Sequence, residues 1–154
     1  MENVIKSHPI YGKLHHVGVV VSDIEKSIAY LESMGVGPFR ARDGSRCATV
    51  SFVGELHGKP AEWKTKISNG ALGDVLLELL QPVEGDQALK ESLDATGEGL
   101  HHLGFIVEDI DAAIERGVKD GLKIWTSSRQ AGKPSFAYFL PDGVVKIAVE
   151  IRTP

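Results

Sequence analysis

The chain has 154 residues, 42% hydrophobic and 25% charged, with a formal net charge of −4. That is enough apolar material for one domain-sized core, and a slightly acidic balance without clustered Lys or Arg argues against a nucleic-acid surface. The single cysteine, Cys47, excludes a disulfide framework and a thiolate zinc site, and no apolar run approaches the roughly 20 residues that cross a bilayer.

Residues 1–13 carry Lys and His without an apolar stretch, which reads as no secretory leader and a cytoplasmic protein. His8 falls in this tail and reads as a bystander. β-Branched residues predict a strand over 14–21. Ser22 or Asp23 then caps a helix whose Ile24, Ile28 and Leu31 form one apolar stripe ending at Gly35. Period-two patterning follows, with strands over 39–42, 48–52, 62–67 and 75–80 separated by turn-rich 43–44, 54–60 and 69–73. Residues 83–99 read as a linker, helical over 88–93 and hinge-like over 95–99. A second strand is predicted over 100–107. Asp109 leads a helix with Ile110, Ile114 and Val118, stopped by Gly121. Strands over 123–127, 135–140 and 144–151 complete the chain, with turns at 132–134 and 141–143.

The second half repeats the first. Aligning 14–36 with 100–122 leaves nine of 23 positions identical, and an adjacent His pair, His15-His16 and His101-His102, stands at the same place in both copies. Side chains alternate along a strand, so His16, Gly18 and Val20 share one face while His15, Val17, Val19 and Val21 share the other. The second face is the more apolar and should carry the helix. His16 then faces the concave side with Gly18 leaving room beside it, and His102 with Gly104 does the same. His15 and His101 read as packing residues or as supports for their neighbours.

Each half also places a glutamate inside an apolar strand: Glu78 in Val75-Leu76-Leu77-Glu78-Leu79-Leu80 and Glu150 in Val149-Glu150-Ile151. A buried carboxylate needs a partner. A lone strand His is more often structural, and a lone Glu more often faces solvent from an edge strand. Four such residues in matched pairs instead suit one divalent first-row ion, with positions left for water and substrate. Elsewhere, His57 beside Gly58 reads as a turn bystander and Cys47 as a small half-buried side chain. Phe136, Tyr138 and Phe139 could line a pocket or fill the core. Lys59, Lys64 and Lys133 could meet a phosphate-bearing carrier or simply be solvated.

The segments His15-His16-Val17-Gly18, Leu77-Glu78-Leu79-Leu80-Gln81-Pro82, Gly99-Leu100-His101-His102-Leu103-Gly104 and Val149-Glu150-Ile151 resemble the vicinal oxygen chelate superfamily of glyoxalase I, methylmalonyl-CoA epimerase, extradiol dioxygenases and fosfomycin-resistance proteins. The resemblance runs from 14 to 151. It implies an α+β fold of two βαβββ modules forming an open eight-stranded barrel-like sheet around a metal. The modules would be 14–82 and 100–151, joined by 83–99 in one domain over 1–154. The family's four ligand positions fall on His16, Glu78, His102 and Glu150.

Within that superfamily the chain is most similar to methylmalonyl-CoA epimerase-like and glyoxalase-like members. This implies a metal-dependent epimerase or isomerase that abstracts a proton α to a carbonyl, of methylmalonyl-CoA or a related acyl thioester. Glu150 would be the base and Glu78 the second carboxylate, with cobalt, nickel, manganese, zinc or iron stabilising the enolate. The alternatives are a glyoxalase I-type lyase on a thiol hemithioacetal and a non-catalytic small-molecule-binding protein. An extradiol dioxygenase fits less well, because its iron typically takes two His and one carboxylate. The resemblance also implies a homodimer. Epimerases carry a further glutamate in the second-strand region, where this chain reads Arg40-Ala41-Arg42-Asp43-Gly44-Ser45-Arg46, leaving Asp43 as the stand-in. The unmatched stretch 40–66 is where substrate identity is expected to lie.

Overall fold

In the computed structural model residues 12–154 are described; His8 lies outside them. The two copies of the repeat fold alike. Strand β1 (Leu14–Val20) leads into helix α1 (Ile24–Ser33), whose cap is Asp23, its carboxylate accepting from the Lys26 N–H at 3.1 Å. Strand β6 (Gly99–Ile106) leads into α3 (Ile110–Lys119), capped in the same way by Asp109 on the Ala112 N–H at 2.9 Å. The remaining elements are β2 (Phe39–Arg40), β3 (Ala48–Leu56), β4 (Lys59–Leu72), β5 (Val75–Glu84), α2 (Ala88–Thr96), β7 (Ile124–Ser128), β8 (Phe136–Phe139) and β9 (Ala148–Arg152).

These give the expected α+β fold: β1-α1-β3-β4-β5 and β6-α3-β7-β8-β9 are two βαβββ modules. The strand order is β2-β4-β3-β7-β8-β9-β6-β1-β5, and β5 returns to β4. Eight strands therefore form a ring, and the two-residue β2 pairs with β4 outside it. The ring is hydrogen-bonded all the way round, not open along an edge as expected. The reason is the length of β3. Its hairpin with β4 turns on two residues alone, His57 (φ 51°) and Gly58 (φ 75°), both in the left-handed region. Pairing continues to Leu56↔Lys59, and the extended end of β3 reaches β7 through Gly54↔Ser128, Glu55↔Ser127 and Leu56↔Thr126.

At the seam between modules β1 and β6 run antiparallel, and each lies parallel to its own glutamate strand, β5 or β9. The helices cover the outer face. Ile24 and Ile28 of α1, both fully buried, pack with Val21, Phe39 and Leu79. Ile110 and Ala113 of α3 pack with Val107, Ala137, Phe139 and Ile151. Each large apolar side chain buried in this way contributes about 1.5–3 kcal/mol. With Leu77 and Leu79 turned to α1, and Val149 and Ile151 to α3, alternation turns Glu78 and Glu150 inward. Leu89 and Leu93 of α2 pack on Val20, Leu80 and Ile67 instead.

β9 starts at Ala148 and not at 144. Val144 and Val145 are exposed, and ladder partners begin with His102↔Ala148 and Phe139↔Val149. No helix among the described residues is long and apolar enough to cross a membrane.

Candidate metal centre

The seam register sets the site. His16 lies opposite Gly104, and Gly18 opposite His102. A Cβ on Gly18 would stand 2.1 Å from His102 Cε1, and one on Gly104 would stand 2.1 Å from His16 Cε1. Each copy's glycine thus makes room for the other copy's histidine, whereas the repeat read alone assigned each glycine to its own. The parallel pairings then set Gly18 beside Glu78 and Gly104 beside Glu150.

All four side chains meet at one point inside the ring. His16 Nε2 lies 2.9 Å from His102 Nε2, 3.0 Å from Glu150 Oε2 and 3.0 Å from Glu78 Oε2. His102 Nε2 lies 2.9 Å from Glu150 Oε2 and 3.8 Å from Glu78 Oε2. The donor atoms of the four all fall within 4.8 Å of one another. Ligand bonds of about 2.1 Å meeting at right angles would space adjacent donors about 3.0 Å apart. Most of the contacts at this centre have that spacing. Two imidazoles and two carboxylates are also the donor set borderline divalent ions accept, so the residues fit a divalent ion.

Charge in the cluster is strongly coupled. Burial pushes the His16 imidazolium down, but hydrogen bonds to Glu150 and Glu78 outweigh it and raise the pKa to about 10. Burial likewise opposes charge on His102, which the same carboxylates raise. Burial pushes the Glu150 carboxyl up, but His102 and His16 hold it at about 2. Glu78 is held well below the carboxylate range by the same pair against the same burial. Both carboxylates are therefore ionised at neutral pH. Protons on the imidazoles occupy the place that a cation would compete for.

His15 and His101 do not point away, as strict alternation had them. The β1–β6 register slips between Leu14 and His16 in one strand and across His101 in the other, so both residues sit at β-bulges. Each turns back to its neighbour. Nδ1 of His15 lies 2.8 Å from Nδ1 of His16, and His101 and His102 repeat the contact at 2.8 Å. With Nε2 of the inner histidine free for an ion, its Nδ1–H donates to the outer one and fixes its tautomer. His101 also stacks on Trp125 (centroids 5.4 Å apart, 25° between planes), and Tyr138 stacks on His102 (4.8 Å, 29°). Burial and the His102 charge lower the His101 pKa to about 3. Burial and Arg152 lower that of His15.

A cavity of about 620 Å³ opens from this cluster. Glu78, Glu150, Leu80, Phe136, Tyr138 and Arg152 line its inner part, with Phe52 and Trp63 from the β3–β4 hairpin and Gln87 to Leu89 from α2. Of the three aromatic candidates, Phe136 and Tyr138 line the cavity, while Phe139 packs under α3. Lys133 is at the rim, Lys64 is paired with Glu84 at 2.9 Å, and Lys59 borders a separate shallow cleft. Asp43 also borders the cavity, but its Oδ1 accepts from the N–H and hydroxyl of Ser45, at 2.9 and 2.5 Å. Cys47 packs partly buried beside the α1 core. His57 binds Glu91, whose Oε2 also takes the Trp125 indole N–H at 2.8 Å. Sequence reasoning passed over Arg152, although it lies two residues beyond Glu150 and so shares its face. Phe52 and Trp63 required the hairpin register (Phe52↔Trp63), which the sequence leaves open.

The sequence model of the Glyoxalase/Bleomycin resistance protein/Dioxygenase superfamily matches residues 15–139. An uncharacterized protein of Bacillus subtilis, YqjC, is 24% identical over 104 residues, which are 67% of this chain and 63% of YqjC. The chain therefore spans less than two thirds of that relative. Methylmalonyl-CoA epimerase from Mycobacterium tuberculosis superposes with a TM-score of 0.63 at 18% identity, covering 98% of this chain and 93% of that one. A methylmalonyl-CoA epimerase from Streptomyces coelicolor in complex with 2-nitronate-propionyl-CoA superposes with a TM-score of 0.60 at 19% identity, covering 93% and 97%. At these identities the likeness is one of fold.

Proposed function

The chain belongs to the glyoxalase/bleomycin resistance protein/dioxygenase superfamily, and from that premise we propose a metal-dependent epimerase or isomerase that moves a proton α to a carbonyl. The observation that carries this reading is the convergence of His16, Glu78, His102 and Glu150 within 4.8 Å at the inner end of a cavity of about 620 Å³. Those four residues would hold one divalent ion, of cobalt, nickel, manganese, zinc or iron. Bound there, the ion supplies Lewis-acid polarisation of a carbonyl oxygen and offsets the negative charge of an enolate.

The protein's own groups supply the rest. Glu150, ionised and inside the ring, is the base: its carboxylate would give up its bond to the ion as it takes the α-proton. Glu78, on β5 and so across the β1–β6 seam from Glu150 on β9, would act from the other side of a substrate lying over the cluster. Reprotonation from that side inverts the carbon. His15 and His101 hold the rings of His16 and His102 in position through their Nδ1 contacts. The apolar walls from Leu80, Leu89 and Phe136 keep water away and the local dielectric low, which strengthens each charge interaction. The structural likeness to methylmalonyl-CoA epimerases supports an acyl thioester substrate.

A glyoxalase I-type lyase uses the same donor set, and one observation favours it. Asp43, the stand-in for the additional epimerase glutamate, has Oδ1 committed to Ser45. One experiment separates the readings. Metal content is measured on the purified chain with His16→Ala and His102→Ala as controls, and α-deuterium uptake is followed with methylmalonyl-CoA and related acids. Stoichiometric metal lost in both variants, with exchange in the parent, is expected. Absence of metal under replete conditions refutes the catalytic reading, and metal without exchange transfers the assignment to the lyase.

A further inference from the structure

The two halves of the cavity are not equivalent, and the difference begins two residues beyond each glutamate. In β5 that position is Leu80; in β9 it is Arg152, and both line the cavity. Arg152 is half-buried. Its Nε donates to Thr153 O at 3.2 Å, and no carboxylate among the described residues pairs with its guanidinium. Arg152 thus lines the cavity with no carboxylate partner among the described residues, about 6.7 Å along the strand from Glu150. The cavity's two other cations are placed differently: Lys133 already donates to Ser51 O, and Arg42 is exposed to solvent rather than half-buried.

Across from Arg152 stands an aromatic cluster. Phe136 is its ladder partner on β8. Phe52 and Trp63 stack with centroids 5.6 Å apart and 21° between planes, and Phe136 meets both edge-on at 5.6 and 6.5 Å. Three rings around one wall of a cavity offer an apolar receptacle, and a guanidinium beside them offers a bidentate site for a planar anion.

We propose that the substrate is a carbonyl compound bearing a carboxylate and an aryl or branched-alkyl tail, with Arg152 binding the carboxylate and Phe52, Trp63 and Phe136 receiving the tail. This rests on the reading of the His16–Glu78–His102–Glu150 cluster as the reacting centre, because the distance from Arg152 to Glu150 sets where the carbonyl lies. Arg152 is then a specificity-determining residue. It holds the anion next to the centre, which by itself carries as many carboxylates as a divalent ion has charges.

The test uses the metal-free full chain and three probes: 3-phenylpropionate, its neutral amide and propionate. Binding is read by calorimetry and by tryptophan quenching, with Trp63→Phe leaving only the Trp125 emission as the control. Expected is binding of 3-phenylpropionate at least about tenfold tighter than of the amide or of propionate. Arg152→Gln should remove the preference for the acid while leaving amide affinity unchanged, which also shows that the variant is folded. Arg152→Lys should restore part of the preference, and Phe52→Ala should weaken both aryl probes together. Equal binding of acid and amide by the parent chain, no binding of the acid, or an unchanged preference in Arg152→Gln overturns the proposal. No metal enters the assay, so failed metal uptake or proton exchange would refute the reacting-centre reading without altering this result. A chain that loads metal and exchanges protons but ignores 3-phenylpropionate loses the substrate class alone.

Discussion

Replacing Gly18 by alanine tests the site at its narrowest point. The added Cβ would stand 2.1 Å from His102 Cε1 and 2.4 Å from Nε2. Ordinary carbon contacts begin at about 3.5 Å, so ring or backbone must yield by about 1.4 Å. Metal sites tolerate errors of about 0.2 Å in ligand distance, so His102 Nε2 is carried out of reach. Affinity for cobalt or zinc should fall about 100-fold or more, comparable to the loss of a ligand's support. Stability supplies a second, independent sign. In a strand where glycine merely fills space, alanine should stabilise by about 0.5–1 kcal/mol. Here overpacking against a buried ring should cost about 1–3 kcal/mol. The net is a loss of up to roughly 2.5 kcal/mol, or up to about 10 °C in Tm for a chain of this size. Gly104→Ala, which meets His16 at the same 2.1 Å, should behave alike. Chelator-stripped protein melted by circular dichroism gives the stability, and competition titration with cobalt gives the affinity. A Gly18→Ala chain that melts at or above the parent and binds cobalt equally well would refute the cradle.

Other expectations follow from single contacts. Saturating the stripped chain with ion at 100 times its Kd should raise stability by about 2.7 kcal/mol, a shift absent from His16→Ala. His101→Phe keeps the ring over Trp125 but removes the Nδ1 partner of His102, so metal affinity should fall about 10–100-fold. Unchanged cobalt affinity would show that the Nδ1 contact positions nothing. Glu91→Ala strands the indole N–H of Trp125 (5% exposed) and should cost about 1–3 kcal/mol in denaturant unfolding. Phe39→Ala empties a fully buried site under α1, and the expected loss is about 3–5 kcal/mol.

The inner cluster could be read from sequence because its determinants are local. Duplication supplies the second histidine, and each glutamate shows itself as a charge inside the apolar strand of its own half, so the four donors can be picked out without any long-range register. What could not be read depends on pairing. His15 looked outward because a one-residue bulge, opposite in sense in the two strands, cannot be inferred from either strand alone. The closed ring depends on how far β3 extends, and that was set by the left-handed turn at His57, a residue that need not adopt such a conformation. Val144 and Val145 satisfy the apolar pattern of a strand yet have no ladder neighbour. The stretch 40–66 stayed opaque for the same reason: Phe52 and Trp63 become one wall only when the hairpin brings them opposite each other.

The exchanged glycines carry a consequence for how the halves hold together. Neither module contains a complete cluster, and neither leaves space for its own histidine without the other. His16 needs the gap at Gly104, and His102 needs the gap at Gly18. A correctly registered β1–β6 seam is therefore a precondition for four converging donors. By linkage, any ion bound by all four stabilises that register as much as the register stabilises binding. The divergence lies farther from the seam, where Leu80 answers Arg152 and Asn69, beside Glu78, answers Tyr138 beside Glu150. Symmetry is kept where two halves must present equivalent donors to one centre. It is lost along the cavity walls, where a substrate with unlike ends needs unlike contacts.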